Sequence, residues 1–217
     1  MSRTPLARAP RLRRNAAEMA DLKRDMLTRA RQIYRDEGVE ALSMRRLAQE
    51  LGLSTMAIYS YFPSKQALLD GMWIEVFEAL VEQLLRVSQG LRSPRKVLEA
   101  HVRGFLDFWE QRPEQFRMIY MSLAHAAGLD QVGEEQRPVY GRLLGLIRER
   151  VAASVQGGEP DEATLGLLCD LMSVKSMGYL LLVLGLPRYP LQDREALRER
   201  VVQEVLRDVS EALRPAR

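Results

Sequence analysis

The sequence predicts an all-α fold, on the evidence of its composition and of the spacing of its apolar residues. Leu, Ala, Arg and Glu, which are common in helices, dominate the 217 residues, whereas aromatic residues make up 6%. Apolar residues recur with the helical period, for example at Leu68, Leu69, Met72 and Val76. Since 47% of the residues are hydrophobic, the chain can bury a substantial core and should be globular.

Caps and helix breakers divide the chain into about nine helices. The first should cover residues 16–37 and end at Gly38. Two short helices should follow, capped by Ser43 and Ser54 and separated by Gly52, and Pro63 should end the second of them. The remaining six helices are expected at about 64–87, 94–111, 113–127, 134–151, 161–186 and 193–213.

Charge is distributed unevenly along the chain, which indicates its organisation. Residues 1–65 hold 13 Lys and Arg against 7 Asp and Glu, a net charge of +6, whereas the remainder carries −3. We expect a basic arm at 1–14, a helix-turn-helix domain at 15–65 and a larger helical domain at 66–217. The positive end favours a polyanionic partner, and the arm is either an ordered contact to such a partner or a solvated tail.

Residues 43–62 predict a helix-turn-helix, because a short helix, a glycine turn and a second short helix follow one another. In this motif the second helix enters the major groove of DNA, so it needs a polar outer face and an apolar anchor. Ile58 and Phe62 are the expected anchors.

The same region resembles the DNA-binding signature of the TetR family. Residues 43–54 read SMRRLAQELGLS and residues 58–69 read IYSYFPSKQALL. The resemblance is close over about 22–69 and loose beyond, where it rests on the nine-helix layout. It implies a homodimeric regulator, usually a repressor, that binds a palindromic double-stranded DNA operator and is released by a small-molecule effector.

The resemblance also implies which residues contact DNA. Tyr61 and Lys65 should hold phosphates, and Arg45 should reach a base edge or a phosphate. The full set of expected DNA contacts is Ser43, Arg45, Arg46, Ser54, Thr55, Met56, Ala57, Tyr59, Ser60, Tyr61 and Lys65.

Three of these positions allow two interpretations. Met56 stands where many relatives have glycine, and it either meets thymine methyl groups together with Ala57 or packs against the preceding helix. Tyr59 is either a core residue or a contact. Arg46 is either a contact or a solvent-facing charge.

Most aromatic residues lie in the larger domain, where family members bind an inducer. The candidate ligand-binding residues are Trp73, Phe77, Phe105, Phe108, Trp109, Phe116, Tyr120, Met121, His125 and Tyr140. Core packing is the alternative for each, although the polar tips of Tyr120, His125 and Tyr140 suit a binding wall. Arg103, Arg117 and Lys175 could pair with an anionic ligand or remain solvated at the surface.

A helix-turn-helix this small reads few base pairs, which favours two copies on neighbouring half-sites. The resemblance implies that the helices at 161–186 and 193–213 form the dimer interface as a four-helix bundle. The candidate interface residues are Leu165, Leu168, Met172, Met177, Leu181 and Leu184. The alternative is that these side chains fill the core of a single chain.

The sequence offers little for catalysis, so we expect no enzyme, no cofactor and no metal. His101 and His125 lack partners at metal-ligand spacing, and neither a GxSxG elbow nor a phosphate-binding loop occurs. The single cysteine, Cys169, should be inert, and the apolar run at 177–186 is too short to span a membrane. These features favour the cytoplasm. The rival to a regulator is a helical interaction module whose basic region binds an acidic partner or RNA.

Overall fold

The computed structural model of the protein describes residues 16–38, 40–121, 137–186 and 188–213. Over these ranges the chain is helical, with no β-strand, so the predicted all-α fold is confirmed. The basic arm, His125 and the second half of the helix expected at 113–127 lie outside the described residues.

Nine α-helices cover most of the described chain. Their bounds are α1 Ala16–Glu37, α2 Met44–Glu50, α3 Thr55–Tyr59, α4 Lys65–Val87, α5 Pro94–Glu110, α6 Pro113–Tyr120, α7 Arg137–Ser154, α8 Glu162–Leu180 and α9 Arg194–Glu211. A π-helical turn, Leu181–Gly185, extends α8. The caps account for several of these starts, because Asp161 and Asp193 each accept a hydrogen bond from the backbone amide three residues later.

The chain divides into two compact units, residues 1–72 and 73–217, and the boundary falls within α4. The first turns of α4 pack closely in the first unit, which places the boundary beyond residue 65. A Cβ atom at Gly71 would stand 3.0 Å from Leu27 Cδ2 and 3.1 Å from Phe62 Cε1. Glycine at this position therefore permits the close approach of α4 to α1.

In the second unit, Glu110 joins three helices. Its carboxylate on α5 accepts hydrogen bonds from the Tyr179 hydroxyl of α8 at 2.5 Å, and from Arg194 at 3.0 Å and Arg198 at 3.2 Å, both of α9. Burial by itself raises the pKa of Glu110, but the hydrogen bonds from Tyr179 and Arg194 outweigh burial and lower it below its usual value. The carboxylate is therefore ionised when it holds α5, α8 and α9 together.

One helical segment of the described chain, Glu162–Gly185, has the length and composition of a membrane-spanning helix. It comprises 24 residues, with a mean hydropathy of 1.7 in its most apolar 18-residue window, a third of which is buried. The uninterrupted apolar run at 177–186, on which the sequence-based expectation rested, is much shorter than this segment. One side of the segment packs against α9, α7 and α5, which makes it the central helix of the second unit. Its remaining apolar side chains lie outside that core.

His101 of α5 is buried, and the Leu84 carbonyl and the Glu149 carboxylate favour its protonated form less than burial and Arg150 disfavour it. Only 2% of the residue is exposed, and Nε2 lies 3.0 Å from the hydroxyl of Ser88. That hydroxyl can donate to the Leu84 carbonyl, so Nε2–H donates to Ser88, and Nδ1 has no hydrogen-bond partner in the described part of the chain. Burial and then the charge of Arg150 lower the pKa of His101 to about 4.

We expect this histidine to make the second unit acid-sensitive. Between pH 6.5 and about 4 the unfolded chain binds a proton that the folded chain does not, so the free energy of unfolding falls as the pH decreases. The full difference corresponds to about 3 kcal/mol. Both tryptophans lie in this unit, so tryptophan fluorescence during urea unfolding measures the effect. His101→Gln should remove this part of the pH dependence while His125→Gln keeps it, and an unchanged dependence in His101→Gln would contradict the assignment.

Candidate functional site

The candidate nucleic-acid interface is built on α2 and α3, which are joined by a tight turn. Ser43 caps α2 by accepting from the Arg46 amide at 3.1 Å, and Ser54 caps α3 by accepting from the Ala57 amide at 3.2 Å. Gly52 lies between them with φ +64°, a left-handed conformation that favours glycine. Leu53 N donates to the Ala48 carbonyl at 2.9 Å, which fixes the direction of the chain entering α3.

The two sides of α3 differ sharply in exposure. Ile58 and Phe62 are buried, as expected for the anchors, whereas Met56 is 77% exposed and Tyr59 is 45% exposed. Packing of Met56 against the preceding helix is therefore wrong, and so is a core position for Tyr59. Ser60 is exposed and its hydroxyl donates to the Ala57 carbonyl at 2.7 Å.

The adjacent arginines of α2 have different surroundings. Arg45 is exposed and forms no ion pair with any residue that the structure describes. Arg46 pairs with Glu37 of α1 at 3.1 Å and with Glu50 at 2.8 Å. Glu50 also accepts a hydrogen bond from Arg29 of α1, and this hydrogen bond is the main reason that its pKa lies below the usual value.

Sequence reasoning did not identify the brace that Glu50 forms between α1 and α2. The spacing of Arg46 and Glu50, four residues apart on one helix, could have indicated their pair. Arg29 could not be assigned in this way, because its contact with Glu50 depends on how α1 packs.

Thr55, Ala57, Tyr61 and Lys65 are half-buried around the exposed face of α3. Lys65 is the first residue of α4, and Ser64 caps that helix by accepting from the Ala67 amide at 3.0 Å. The positive end of the α4 dipole thus coincides with a lysine, an arrangement that suits a phosphate group.

The second unit contains a cavity of about 120 Å³ between α5, α6, α7 and α8. Its lining is mainly apolar and aromatic. The lining residues are Phe105, Tyr120, Tyr140, Leu143, Leu144, Ile147, Met172, Ser173, Ser176 and Met177. Phe105, Tyr120 and Tyr140 are candidate ligand residues, and Met172 and Met177, which are candidate interface residues, also line this cavity.

Other candidate ligand residues form the aromatic core behind this cavity. Phe108, Trp109 and Phe116 are fully buried, and the Trp109 ring lies 5.0 Å from Phe108 and 5.6 Å from Phe116. Phe77 is also buried and meets Trp109 edge-on at 6.4 Å. These four side chains pack in the core, and Trp73, which is half-buried, does not line the cavity.

Met121 and the charged candidates lie outside the cavity. Met121 is exposed and covers Gly185 of the π-helical turn. Arg103 pairs with Glu99 and Glu199, Arg117 with Glu114, and Lys175 with Asp208. None of these three cations lines the cavity, so they are not positioned to bind an anionic ligand there.

The residues proposed for the dimer interface divide between the core and the surface. Leu165, Leu168, Met172 and Leu184 are buried within one chain, which is the alternative that the sequence left open. The exposed apolar side chains of this helix include Leu167 (59% exposed), Val174 (68%) and Leu181 (39%). These three residues are seven apart and define an α8 stripe on one face of the helix. The exposed positions of α9 are mostly charged.

The described residues include no group of three or more His, Cys, Asp or Glu side chains that could hold a metal ion. Cys169 of α8 is half-buried, and burial raises the pKa of its thiol. A thiol with a raised pKa is a poor nucleophile at neutral pH.

These two units define a helix-turn-helix protein with a separate helical domain. Residues 26–72 match the family described as bacterial regulatory proteins, tetR family. The match lies within the N-terminal unit, which is therefore similar to the DNA-binding region of this family.

Two named repressors are similar to part of this chain. The transcriptional repressor DrrR1 of Streptomyces coeruleorubidus is 39% identical over 90 residues, which cover 38% of this chain and 29% of that protein. The class C tetracycline repressor of Escherichia coli is 37% identical over 78 residues, which cover 36% and 32%. The chain thus spans about a third of the length of these two relatives.

The fold of the whole chain resembles solved structures. A TetR-family transcriptional regulator from Pectobacterium atrosepticum superimposes with a TM-score of 0.64 at 19% identity, covering 94% of this chain and 100% of that one. At this identity the similarity establishes the fold, including the helical second unit.

The two adjacent arginines allow a matched test of the interface. Arg45→Gln should weaken binding to duplex DNA and lower the slope of log affinity against log salt concentration by about one, because one phosphate contact is lost. Arg46→Gln should change this slope much less, since two carboxylates already offset the charge of Arg46. Fluorescence anisotropy over a salt series gives both slopes. Equal slopes for the two variants would contradict the distinction.

Proposed function

We propose that the protein is a ligand-responsive transcriptional repressor that acts in the cytoplasm, binds a palindromic operator as a homodimer and is released by a small-molecule inducer. The observation that carries the proposal is the exposed face of α3, with Met56 and Tyr59 outward and Ile58 buried behind them. A major groove admits one helix, and thymine methyl groups offer apolar contacts to a side chain such as Met56. The names of the related repressors support the same conclusion.

The proposed contacts between side chains and DNA are of two kinds, to base edges and to phosphates. Thr55, Met56 and Ala57 at the start of α3 would meet base edges, because the first residues of a recognition helix point into the groove. Arg45, Tyr61 and Lys65 would hold phosphates on either side and thereby fix the position of α3.

The salt dependence of binding tests this division. Lys65→Ala should weaken binding to all DNA sequences alike and lower the salt slope by about one, whereas Thr55→Ala should relax the preference at one base pair and keep the slope. Lys96→Ala is the matched control, because it removes the same charge from the exposed start of α5 in the second unit. The preferred sequence comes from selection with a random DNA pool. An asymmetric selected site, or an unchanged slope for Lys65→Ala, would refute the proposed contacts.

The α8 stripe supports the homodimer. Leu167, Val174 and Leu181 expose apolar surface on the helix whose opposite side is packed in the core. A second copy would cover the same stripe by two-fold symmetry, since such an interface uses one patch on both chains. Dimerisation would also place two copies of α3 on two half-sites.

A charge introduced into the stripe should separate the chains. We expect Val174→Asp to convert the dimer to a monomer and to abolish cooperative binding to a two-half-site operator, because burying an unpaired carboxylate is costly. Leu91→Asp, at an exposed leucine between α4 and α5, is the matched control and should leave the mass unchanged. Analytical ultracentrifugation gives the mass. A monomeric unmodified protein, or one that floats with lipid vesicles through the apolar α8, would contradict the dimer.

Release of the operator on ligand binding would be a shift between two populations of dimers. A compound in the second-unit cavity would favour dimers in which the separation of the two α3 helices does not fit the operator. Identical operator affinity in the presence of every compound shown to bind the cavity would exclude this coupling.

A further inference from the structure

The described wall of the cavity between α5 and α8 carries no charge. Aromatic side chains of α5, α6 and α7 face methionines of α8, and no charged residue belongs to the described lining. Burial raises the pKa of Tyr120, so this phenol stays neutral at physiological pH. Transfer of an ionised compound into such surroundings is unfavourable unless a partner charge compensates it.

One polar group of this wall lacks a hydrogen bond. Ser176 is 2% exposed, and its hydroxyl has no hydrogen-bond partner among the residues that the structure describes. Ser154 and Ser173, which also lie within helices, behave differently, because each donates to the carbonyl four residues earlier at 2.8 Å. A buried hydroxyl without a partner is unfavourable, and a ligand oxygen can satisfy it.

The size and walls of the cavity restrict what can bind. An apolar cavity of about 150 Å³ holds one benzene ring, so about 120 Å³ suits a compound of similar size. Tyr120, Tyr140 and Phe105 offer ring edges and faces, and the sulfurs of Met172 and Met177 interact favourably with aromatic rings. Ser173 and Leu144 are exposed members of the lining, so the cavity reaches the surface of the unit.

We propose that this cavity binds an uncharged compound of about one aromatic ring that carries a single hydroxyl or carbonyl oxygen, and that this oxygen hydrogen-bonds to Ser176. The inference rests on the proposed function in taking this cavity as the effector site. The ring fills the apolar space beside Tyr120 and Tyr140. The oxygen supplies the partner that the Ser176 hydroxyl lacks among the described residues.

Three probes of similar size test separately the contributions of the aromatic ring, the hydroxyl group and a negative charge to binding. Benzyl alcohol has the ring and the hydroxyl, toluene has the ring alone, and benzoate has the ring with a negative charge. Tryptophan fluorescence can report binding, because the Trp109 ring lies 5.4 Å from Tyr120 and 6.3 Å from Phe105 in the cavity wall. We expect affinity to decrease from benzyl alcohol to toluene to benzoate.

A pair of serine variants tests the hydrogen bond. Ser176→Ala should weaken benzyl alcohol about three- to tenfold, the contribution of one hydrogen bond, and leave toluene unchanged. Ser154→Ala is the matched control and should change neither affinity, because this buried serine lies outside the cavity lining and its hydroxyl is bonded to the Arg150 carbonyl. Ile147→Phe, which adds volume at the wall, should weaken both neutral probes and thereby locate them. Circular dichroism checks that each variant is folded.

The outcomes separate this inference from the proposed function. No saturable binding of benzyl alcohol, tighter binding of benzoate, or an unchanged affinity in Ser176→Ala overturns the inference. Operator binding is measured separately by fluorescence anisotropy. If benzyl alcohol binds as expected and operator affinity stays constant, the inference stands and the proposed induction fails. If a compound of other chemistry releases the operator while the probes do not bind, the proposed function stands and the inference fails.

Discussion

The candidate nucleic-acid interface depends on the burial of Ile58. Five residues cannot form a stable helix in water, because helix nucleation costs more than so few hydrogen bonds return. The helix α3 therefore exists only because Ile58 and, just beyond it, Phe62 are held in the core of the first unit. This constraint assigns the other side chains of α3 as well: with Ile58 fixed inward, Met56 and Tyr59 must face outward.

The surrounding elements meet the geometric demands of that burial. Ser54 supplies the first amide partner of α3, and Gly52 provides the left-handed residue that reverses the chain after α2. Gly71 lets α4 approach Phe62 closely enough to cover it. Glu50 binds Arg29 and Arg46 together, so α2 is held against α1 by charge at the rim of the apolar contact. The exposed pairs contribute little energy each, so apolar burial provides most of the stabilisation.

The sequence predicted those parts of the structure that local rules determine. Ser43, Ser54, Asp161 and Asp193 start helices because a cap acts on amides two or three residues away, and this relation can be read from the chain. The sequence left the positions of Met56 and Tyr59 open, and only the anchors Ile58 and Phe62 followed from helical spacing. Helical spacing could not distinguish Met172 and Met177, which line the cavity, from Val174, which is exposed. The reason is that α8 is apolar around most of its circumference, so spacing alone does not show which face is buried. Only contacts with α5, α7 and α9 decide which side is core, which lines the cavity and which is exposed.

That threefold use of α8 explains why its composition approaches that of a membrane helix. One side supplies Leu165 and Leu168 to the core, another supplies Ser176 and Met177 to the cavity, and a third exposes Leu167 and Val174. At the end of the helix the backbone widens into the π-helical turn, where Arg117 of α6 donates to the Leu184 carbonyl at 3.0 Å. Since α6 also carries Tyr120, this hydrogen bond ties one cavity wall to the helix that bears another. If the proposed effector displaced Tyr120, it would therefore act on the same helix that presents the proposed dimer surface, without touching that surface itself.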